Sequence, residues 1–448
     1  MRQSINFKKG ISILILFVVA ISFVCWVALA GAGNIAGGAF NHWPDTGQTK
    51  CYDNLKEIPC PSPEYWFYGQ DAQYQGPQRS YTKLGYGGVE LPDSATQAEG
   101  WIMTRDNVTG LIWEIKTNDG SIHDKNDTYS WCYHSPDTNG GEEGRCTDGT
   151  DTEDFIASLN NEQFGGFSDW RLPTIKELST IRGISAPLND PFIDSNYFPN
   201  MMAFYYWSST AGARHSYGAW CVYFGAGTLN FSSKSAMSHV IAVRSEESPS
   251  NNSFVDNHDG TVTDLKTGLM WQKCTMGQSY NPDTNGCDGV ASVHTWKSAL
   301  DACESLELAG FHDWRLPNRN ELQSIVDYSL GEPSIDLTYF PGTQREYYWS
   351  ATTMESYPSY AWGVDFDYGY VPGKDKSKII YLYARAVRSS QSEVLGDADH
   401  DGDVDGKDLS GLASALSTGN YDPVFDLNHD EQLNELDVEI FAGNFGKS

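Results

Sequence analysis

One stretch occurs twice in the chain, and it limits the fold more than any other feature. Gly165-Gly166-Phe167-Ser168-Asp169-Trp170-Arg171-Leu172-Pro173-Thr174-Ile175-Lys176-Glu177-Leu178 returns as Ala309-Gly310-Phe311-His312-Asp313-Trp314-Arg315-Leu316-Pro317-Asn318-Arg319-Asn320-Glu321-Leu322. Each copy ends in a helix start, with Thr174 or Asn318 at the N-cap and Glu177 or Glu321 three residues on. The cap side chain accepts from the N3 amide while the Glu reaches back to the cap's own N–H. The Trp supplies a large apolar body, and the Arg calls for a carboxylate beneath the turn. The phrase reads as a core staple, which says what the domain is more than what it does.

Landmarks around the two copies form a tandem repeat. Gly110-Leu111-Ile112-Trp113 answers Gly268-Leu269-Met270-Trp271, and Tyr206-Trp207-Ser208-Ser209-Thr210 answers Tyr348-Trp349-Ser350-Ala351-Thr352. Ala242-Val243-Arg244-Ser245 answers Ala386-Val387-Arg388-Ser389. Trp170 to Trp314 and Val243 to Val387 are both 144 residues, whereas Trp113–Trp170 spans 57 against 43 for Trp271–Trp314. Fixed spacings mark paired elements and variable ones mark surface loops. Two homologous domains are expected, 101–246 and 254–389, joined by a linker at 247–253. A period this long is not a solenoid repeat. Apolar stripes (Phe155, Ile156, Leu159; Trp296, Ala299, Leu300, Cys303) predict a helix before each Trp-Arg-Leu-Pro, with a second after it. Short strands such as 219–224 and 361–366 follow. That order is α+β architecture. Residues 31–100, rich in Gly, Pro and Tyr, read as an irregular extension packed on the first domain.

Residues 1–30 have the form of a secretory signal, with Arg2, Lys8 and Lys9 before an apolar run and Ala28-Leu29-Ala30 as the cleavage site. Left uncleaved, the same run is long enough to anchor in a bilayer. Either way the remaining chain is extracytoplasmic, where disulfides persist. Cys51 and Cys60 bracket a Pro-containing loop; Cys132/Cys146 and Cys274/Cys287 each bracket a Pro-Asp-Thr-Asn-Gly. Each pair is expected to bond, leaving Cys221 and Cys303 free and buried. Thirty basic against 59 acidic residues, a net charge of −29, argue against nucleic acid or an anionic membrane as partner and favour cations. Aromatics at 13% fit either sugar-binding loops or the core of a strand-poor fold.

The segment 394–448, after a short linker at 390–393, changes character. Asp397, Asp399, Asp401, the carbonyl of Asp403, Asp405 and Asp408 fall at positions 1, 3, 5, 7, 9 and 12 of a calcium loop, with Gly402 at position 6. Leu409, Leu412 and Leu416 follow on a helix. A second loop offers Asp426, Asn428, Asp430, the carbonyl of Gln432, Asn434 and Asp437, with Ile440 and Phe441 behind it. Two calcium ions are expected. The second is weaker, because Glu431 stands where Gly makes the tight turn.

On the repeated Trp-Arg-Leu-Pro phrase and its landmarks, residues 44–245 and 253–389 resemble a domain family of unknown function. Its best-known member is the C-terminal domain of a Legionella collagen-like adhesin. Asp45-Thr46-Gly47-Gln48-Thr49 and Phe67-Tyr68-Gly69-Gln70-Asp71 are phrases common ahead of such domains. The resemblance implies a C-type-lectin-like fold related to the formylglycine-generating enzyme. Asp408 and Asp437 at position 12, with no helix before the first loop, resemble a dockerin, the calcium-dependent plug for cohesin domains. This implies a small all-α module and a cohesin-like partner contacted by Gly406, Lys407, Glu435 and Leu436.

Sugar-binding lectins of that fold use Glu-Pro-Asn or Gln-Pro-Asp with Trp-Asn-Asp. Glu332-Pro333-Ser334 is the nearest phrase here and no Trp-Asn-Asp exists, so a glycan site would be aromatic and loop-built. No His-Glu-x-x-His or Gly-x-Ser-x-Gly is present, and no catalytic residue is assigned. The expected function is a secreted or cell-surface, non-enzymatic binding or adhesion protein. Its ligand would be an extracellular polysaccharide, a glycosaminoglycan-like glycan or another surface ligand. Two alternatives stay open: a structural surface protein without ligand, and an enzyme related to formylglycine-generating proteins, which would need a reactive cysteine pair in one domain.

Overall fold

The computed structural model describes residues 43–147, 149–187, 189–245, 254–377, 379–389, 404–418, 425, 427 and 433–446. The signal segment, both linkers and most of the two calcium loops lie outside the described residues. Among the described residues, no helix is long and apolar enough to cross a membrane.

A two-stranded ribbon, β1 (Cys51–Tyr52) and β2 (Glu57–Ile58), opens the chain. Repeat one contains β3 (Tyr81–Leu84), β4 (Met103–Asp106), β5 (Ile112–Glu114), α1 (Thr152–Asn161), α2 (Ile175–Thr180), β6 (Tyr205–Ala211), β7 (Gly218–Tyr223), β8 (Thr228–Ser233) and β9 (Val243–Arg244). Repeat two contains β10 (Phe254–Asp256), β11 (Thr261–Asp264), β12 (Leu269–Gln272), a hairpin of β13 (Ser279–Asn281) and β14 (Gly286–Asp288), α3 (Trp296–Glu304), α4 (Arg319–Ser324), β15 (Tyr347–Thr353), β16 (Tyr360–Asp365), β17 (Gly373–Asp375) and β18 (Val387–Ser389). Each repeat builds one four-stranded sheet, β3-β4-β5-β9 or β10-β11-β12-β18, and one three-stranded sheet, β6-β7-β8 or β15-β16-β17. The result is a sheet-rich tandem fold with few helices. The first strand of repeat one comes from the extension, since Tyr81 of β3 pairs with Asp106 of β4.

The staple is local chemistry. Asp151 and Thr295 cap α1 and α3, while Thr174 and Asn318 close full capping boxes at α2 and α4. The carboxylate beneath each Arg is the box Glu itself: Arg171 reaches Glu177 at 2.7 and 2.6 Å, and Arg315 reaches Glu321 at 2.7 and 2.6 Å. One carboxylate thus accepts a bidentate guanidinium and the N-cap amide together. Trp170 and Trp314 are buried, each donating its indole N–H to a carbonyl, Phe164 O at 2.9 Å and Leu308 O at 3.2 Å.

The repeats each own a core cluster, around Trp131, Trp170 and Trp207 or around Trp296, Trp314 and Trp349, and they share a third. In the shared core α2 meets α4. Gln323 Nε2 donates to Ser179 Oγ at 2.9 Å, and Arg182 Nη2 donates to Gln323 Oε1 at 2.8 Å. Trp220 of repeat one sets its edge against Tyr328 and Tyr370 of repeat two, each at 5.1 Å between centroids.

The extension packs on the first domain, as expected, and reaches the second as well. Gln48 trades two hydrogen bonds with the backbone of Thr353 (2.8 and 3.0 Å), Thr352 Oγ1 donates to Asp71 (2.6 Å), and Tyr74 OH donates to Glu304 (2.6 Å). Arg79 then turns to repeat one, donating to Thr180 O and Arg182 O at 2.6 and 3.0 Å.

Two Pro-Asp-Thr-Asn-Gly loops that look equivalent in sequence stand at different places. Trp131 Nε1 donates to Ser208 O and Trp296 Nε1 to Ser350 O, at 2.8 and 2.9 Å, so these two indoles are the spatial pair. Cys132 follows that tryptophan, whereas Cys274 lies just past β12, ahead of it.

Beyond the repeats, α5 (Gly406–Thr418) and α6 (Glu435–Asn444) pack Val404, Leu412, Phe425, Leu427 and Phe441 into a separate small cluster.

Candidate functional site

An open concavity with both apolar and charged walls lies where the extension crosses repeat one. It encloses about 620 Å³ between Thr46-Gly47, Arg79 to Tyr81, Asp93, the turn after α2 and residues 193–197. That is within the size range of small-ligand sites. Tyr81 is placed by β3 and Tyr197 by the turn following Asp194, and their rings meet at 5.2 Å with 40° between planes. Tyr197 OH donates to Asp93 Oδ1 at 3.2 Å, and Asp194 Oδ1 accepts from the N–H of Asn196 at 3.0 Å. Burial holds the Tyr197 phenol above its ordinary value, followed by the charges of Asp93 and Asp194. Burial does the same for Tyr81, against the opposing pull of Arg79.

Arg79 also donates to Asp45 O at 2.9 Å, so each of its nitrogens holds backbone or a phenol. What remains for a ligand is two ring surfaces, Ile184 and Ile193, and two exposed carboxylates. Rings of this kind cover the C–H face of a sugar, and carboxylates accept from its hydroxyls or an amine. The sequence reading missed these residues, although a signal existed. Asp194-Ser195-Asn196-Tyr197-Phe198-Pro199 returns as Asp336-Leu337-Thr338-Tyr339-Phe340-Pro341, and Phe254 packs on Tyr339 and Phe340 as Tyr81 does on Tyr197 and Phe198.

A second aromatic cavity lies between the repeats, walled by Trp220, Phe231, Tyr328 and Tyr370. Its volume is about 40 Å³, room for a water or two. These aromatics are core. Beside it Glu332, of Glu332-Pro333-Ser334, is paired with Arg214 and with Arg345 (2.8 Å), so its carboxylate is already engaged.

Of the residues expected to bind calcium, Asp397, Asp399, Asp401, Asp403, Asp426, Asn428, Asp430 and Gln432 lie outside the described residues. Asp408 Oδ2 accepts from the N–H of Asp405 at 2.8 Å; Asp437 accepts from Asn434 N and Leu427 N, both at 2.8 Å. Asn434 caps α6 through the N–H of Leu436 at 2.9 Å. Both position-12 acids are buried at a helix start, where they face backbone donors. Gly406, Lys407 and Leu436 are exposed on the first turns; the Glu435 side chain lies outside the described residues.

The three disulfides are Cys51–Cys60, Cys132–Cys146 and Cys274–Cys287. Cys221 and Cys303 are unbridged and buried in different clusters, and burial raises both thiols, Cys221 to about 12. Neither suits a nucleophile at neutral pH.

A search of characterised proteins finds no match. The sequence pattern described as the Lcl C-terminal domain matches residues 102–244 and again 260–388. The chain belongs to the Lcl C-terminal domain family, as two tandem copies.

Proposed function

We propose that the chain is an extracytoplasmic, non-enzymatic binding and adhesion protein that takes a glycan in the Tyr81–Tyr197 groove. The reading rests on one observation: an open concavity of about 620 Å³ whose wall combines two phenol rings with the exposed carboxylates of Asp93 and Asp194. The C-type-lectin-like fold inferred for the repeats suits it, since loops around such a scaffold carry the binding. With a net charge of −29 and Arg79 committed to carbonyls, neutral or amine-bearing polysaccharides fit the groove better than a glycosaminoglycan-like polymer.

In the same reading the C-terminal segment is a dockerin-like anchor. Asp397, Asp399, Asp401, Asp403, Asp405 and Asp408 would hold one calcium ion, and Asp426, Asn428, Asp430, Gln432, Asn434 and Asp437 a second. Calcium supplies the charge that lets those carboxylates converge. Gly406, Lys407, Glu435 and Leu436 would face a cohesin-like partner.

The test is a polysaccharide-binding assay on the secreted chain, followed by Asp93→Ala and Tyr197→Ala. Each substitution should weaken a bound glycan about tenfold, equivalent to ~1.4 kcal/mol. Unchanged affinity in both variants would move the site elsewhere, and no binding to any polysaccharide would favour a structural surface protein.

A further inference from the structure

The three disulfides differ in what stands beside them. His134 Nδ1 lies 3.7 Å from Cys132 Sγ, and Glu153 Oε2 lies 3.8 Å from the same sulfur. Glu153 fixes the imidazole there, accepting from His134 N at 2.8 Å through Oε1 and contacting Nδ1 through Oε2. Among the described residues, Cys132, His134 and Cys146 are the one group that brings three such ligand atoms within 4.8 Å of one another. Beside the repeat-two disulfide, Cys274 Sγ meets a backbone carbonyl, Gly286 O, at 3.9 Å.

The two cysteines are neighbours for reasons that do not depend on their bond. Arg145 N donates to Trp131 O and Tyr133 N to Glu143 O, both at 3.0 Å, so the loop's two limbs are paired as backbone. The buried Lys234 ammonium ties down the loop tip, donating to Asn139 O at 2.7 Å and Glu142 O at 2.5 Å. Gly144 permits the close approach: a Cβ there would stand 2.3 Å from Trp131 O. Cys132 itself is held by Thr152, whose hydroxyl accepts from its N–H and donates to its carbonyl at 3.0 and 2.9 Å. Opening the disulfide therefore leaves two thiols one side-chain rotation apart, beside an oriented imidazole.

We propose that Cys132, Cys146, His134 and Glu153 form a redox-gated site for a zinc-class divalent metal, closed as a disulfide and open to the ion once reduced. Two equivalents of a small thiol open it. The first thiolate attacks Cys146 Sγ, the S–S bond breaks, and Cys132 leaves as a thiolate that takes up the proton. The second thiol displaces Cys146 from the mixed disulfide, giving the second protein thiol and one oxidised small-molecule disulfide. The metal then binds both sulfurs and releases two protons. Tetrahedral zinc, with bonds of about 2.3 Å to sulfur and 2.0–2.1 Å to nitrogen, separates S and N ligands by about 3.5 Å. The nitrogen and oxygen here already stand at 3.7 and 3.8 Å from Cys132 Sγ. Two adjustments remain: the sulfurs must separate to about 3.8 Å, and Glu153 Oε2, in contact with His134 Nδ1 in the closed form, must draw off it so that both atoms face the ion. Thiolate and imidazole ligands select against the hard cation expected in the C-terminal loops.

The experiment uses the full chain, reduced with glutathione under argon and titrated with Co²⁺ as the probe. A thiolate-to-cobalt charge-transfer band saturating at one equivalent, appearing after reduction and absent before it, is the expected result. Oxygen ligands in the C-terminal loops would bind cobalt without that band. Cys146→Ser should abolish the band, and His134→Gln, at an exposed position, should weaken cobalt binding about tenfold or more. Cys274→Ser should leave it unchanged. Two results would overturn the site: alkylation showing Cys132 and Cys146 free while no band forms, or a band that survives Cys146→Ser. Persistence of the Cys132–Cys146 bond at glutathione levels that open Cys274–Cys287 would overturn the gating.

Discussion

Asp71 shows how a single side chain sets a pH response. It is buried against Thr46 Oγ1 and Thr352 Oγ1 at 2.7 and 2.6 Å. Burial first, and the charge of Asp45 second, push its carboxyl up to about 7. An acid raised in the folded state contributes stability that is present below its unfolded value, about 3.9, and is lost as pH climbs to the folded one. Asp71→Asn keeps an acceptor for both hydroxyls and removes the charge. The melting-temperature difference, variant minus wild type, should grow between about pH 4 and pH 7 and level off above, reflecting on the order of 2–4 kcal/mol. A difference flat with pH would show that the carboxyl ionises normally. The staple tryptophans answer to packing instead. Trp170→Ala and Trp314→Ala should each cost ~3–5 kcal/mol by leaving cavities, measured by urea unfolding. A folded Trp170→Ala chain that lost ligand alone would make the motif a site.

At the scale of elements, the extension behaves as a strand supplied by one side chain. The Gln48 amide pairs with both the N–H and the carbonyl of Thr353, at the end of β15, where the register with β16 shifts. Gln48→Ala would leave two buried backbone groups unmade, at ~1–3 kcal/mol each. Chemical denaturation should therefore show a loss of about 2–4 kcal/mol, and a loss below about 0.5 would mean that water replaces the amide. That contact joins residues 305 apart, and nothing near Gln48 in the sequence foretells it. The capping boxes were legible because cap and Glu are three residues apart, and the chemistry is complete within one turn. The spatial pairing of Trp131 with Trp296 was hidden, since the constant 144-residue offset points to Thr152. Repeat two begins α3 at its tryptophan, whereas repeat one inserts the Cys132–Cys146 loop between the tryptophan and α1. The groove was half legible: its Asp-x-x-Tyr-Phe-Pro phrase repeats, but Asp93 and Tyr81 reach it from the extension by tertiary packing.

For the whole molecule, the decisive feature is which clusters share residues. The central core takes Trp113, Ile175, Leu178 and Trp220 from repeat one and Trp271, Leu322, Val364 and Phe366 from repeat two. Unfolding either repeat would expose the other's apolar face, so the tandem domains are expected to melt as one cooperative unit. The C-terminal cluster of Val404, Leu412, Phe425, Leu427 and Phe441 draws on neither. So small a cluster supplies little folding free energy alone, and its expected calcium ions must add the rest. Calorimetry of the full chain in calcium should give two transitions: a large one for both repeats together and a small one for residues 404–446. Chelator should abolish the small transition and leave the large one within about 1 °C, because binding stabilises the unit that holds the ion and no other. Asp397→Ala should lower the small transition more than Asp426→Ala, since the first loop keeps Gly at its turn and the second has Glu431. A large transition that splits in two would disprove the shared core. A small one indifferent to chelator would remove calcium from the account of the C-terminal segment.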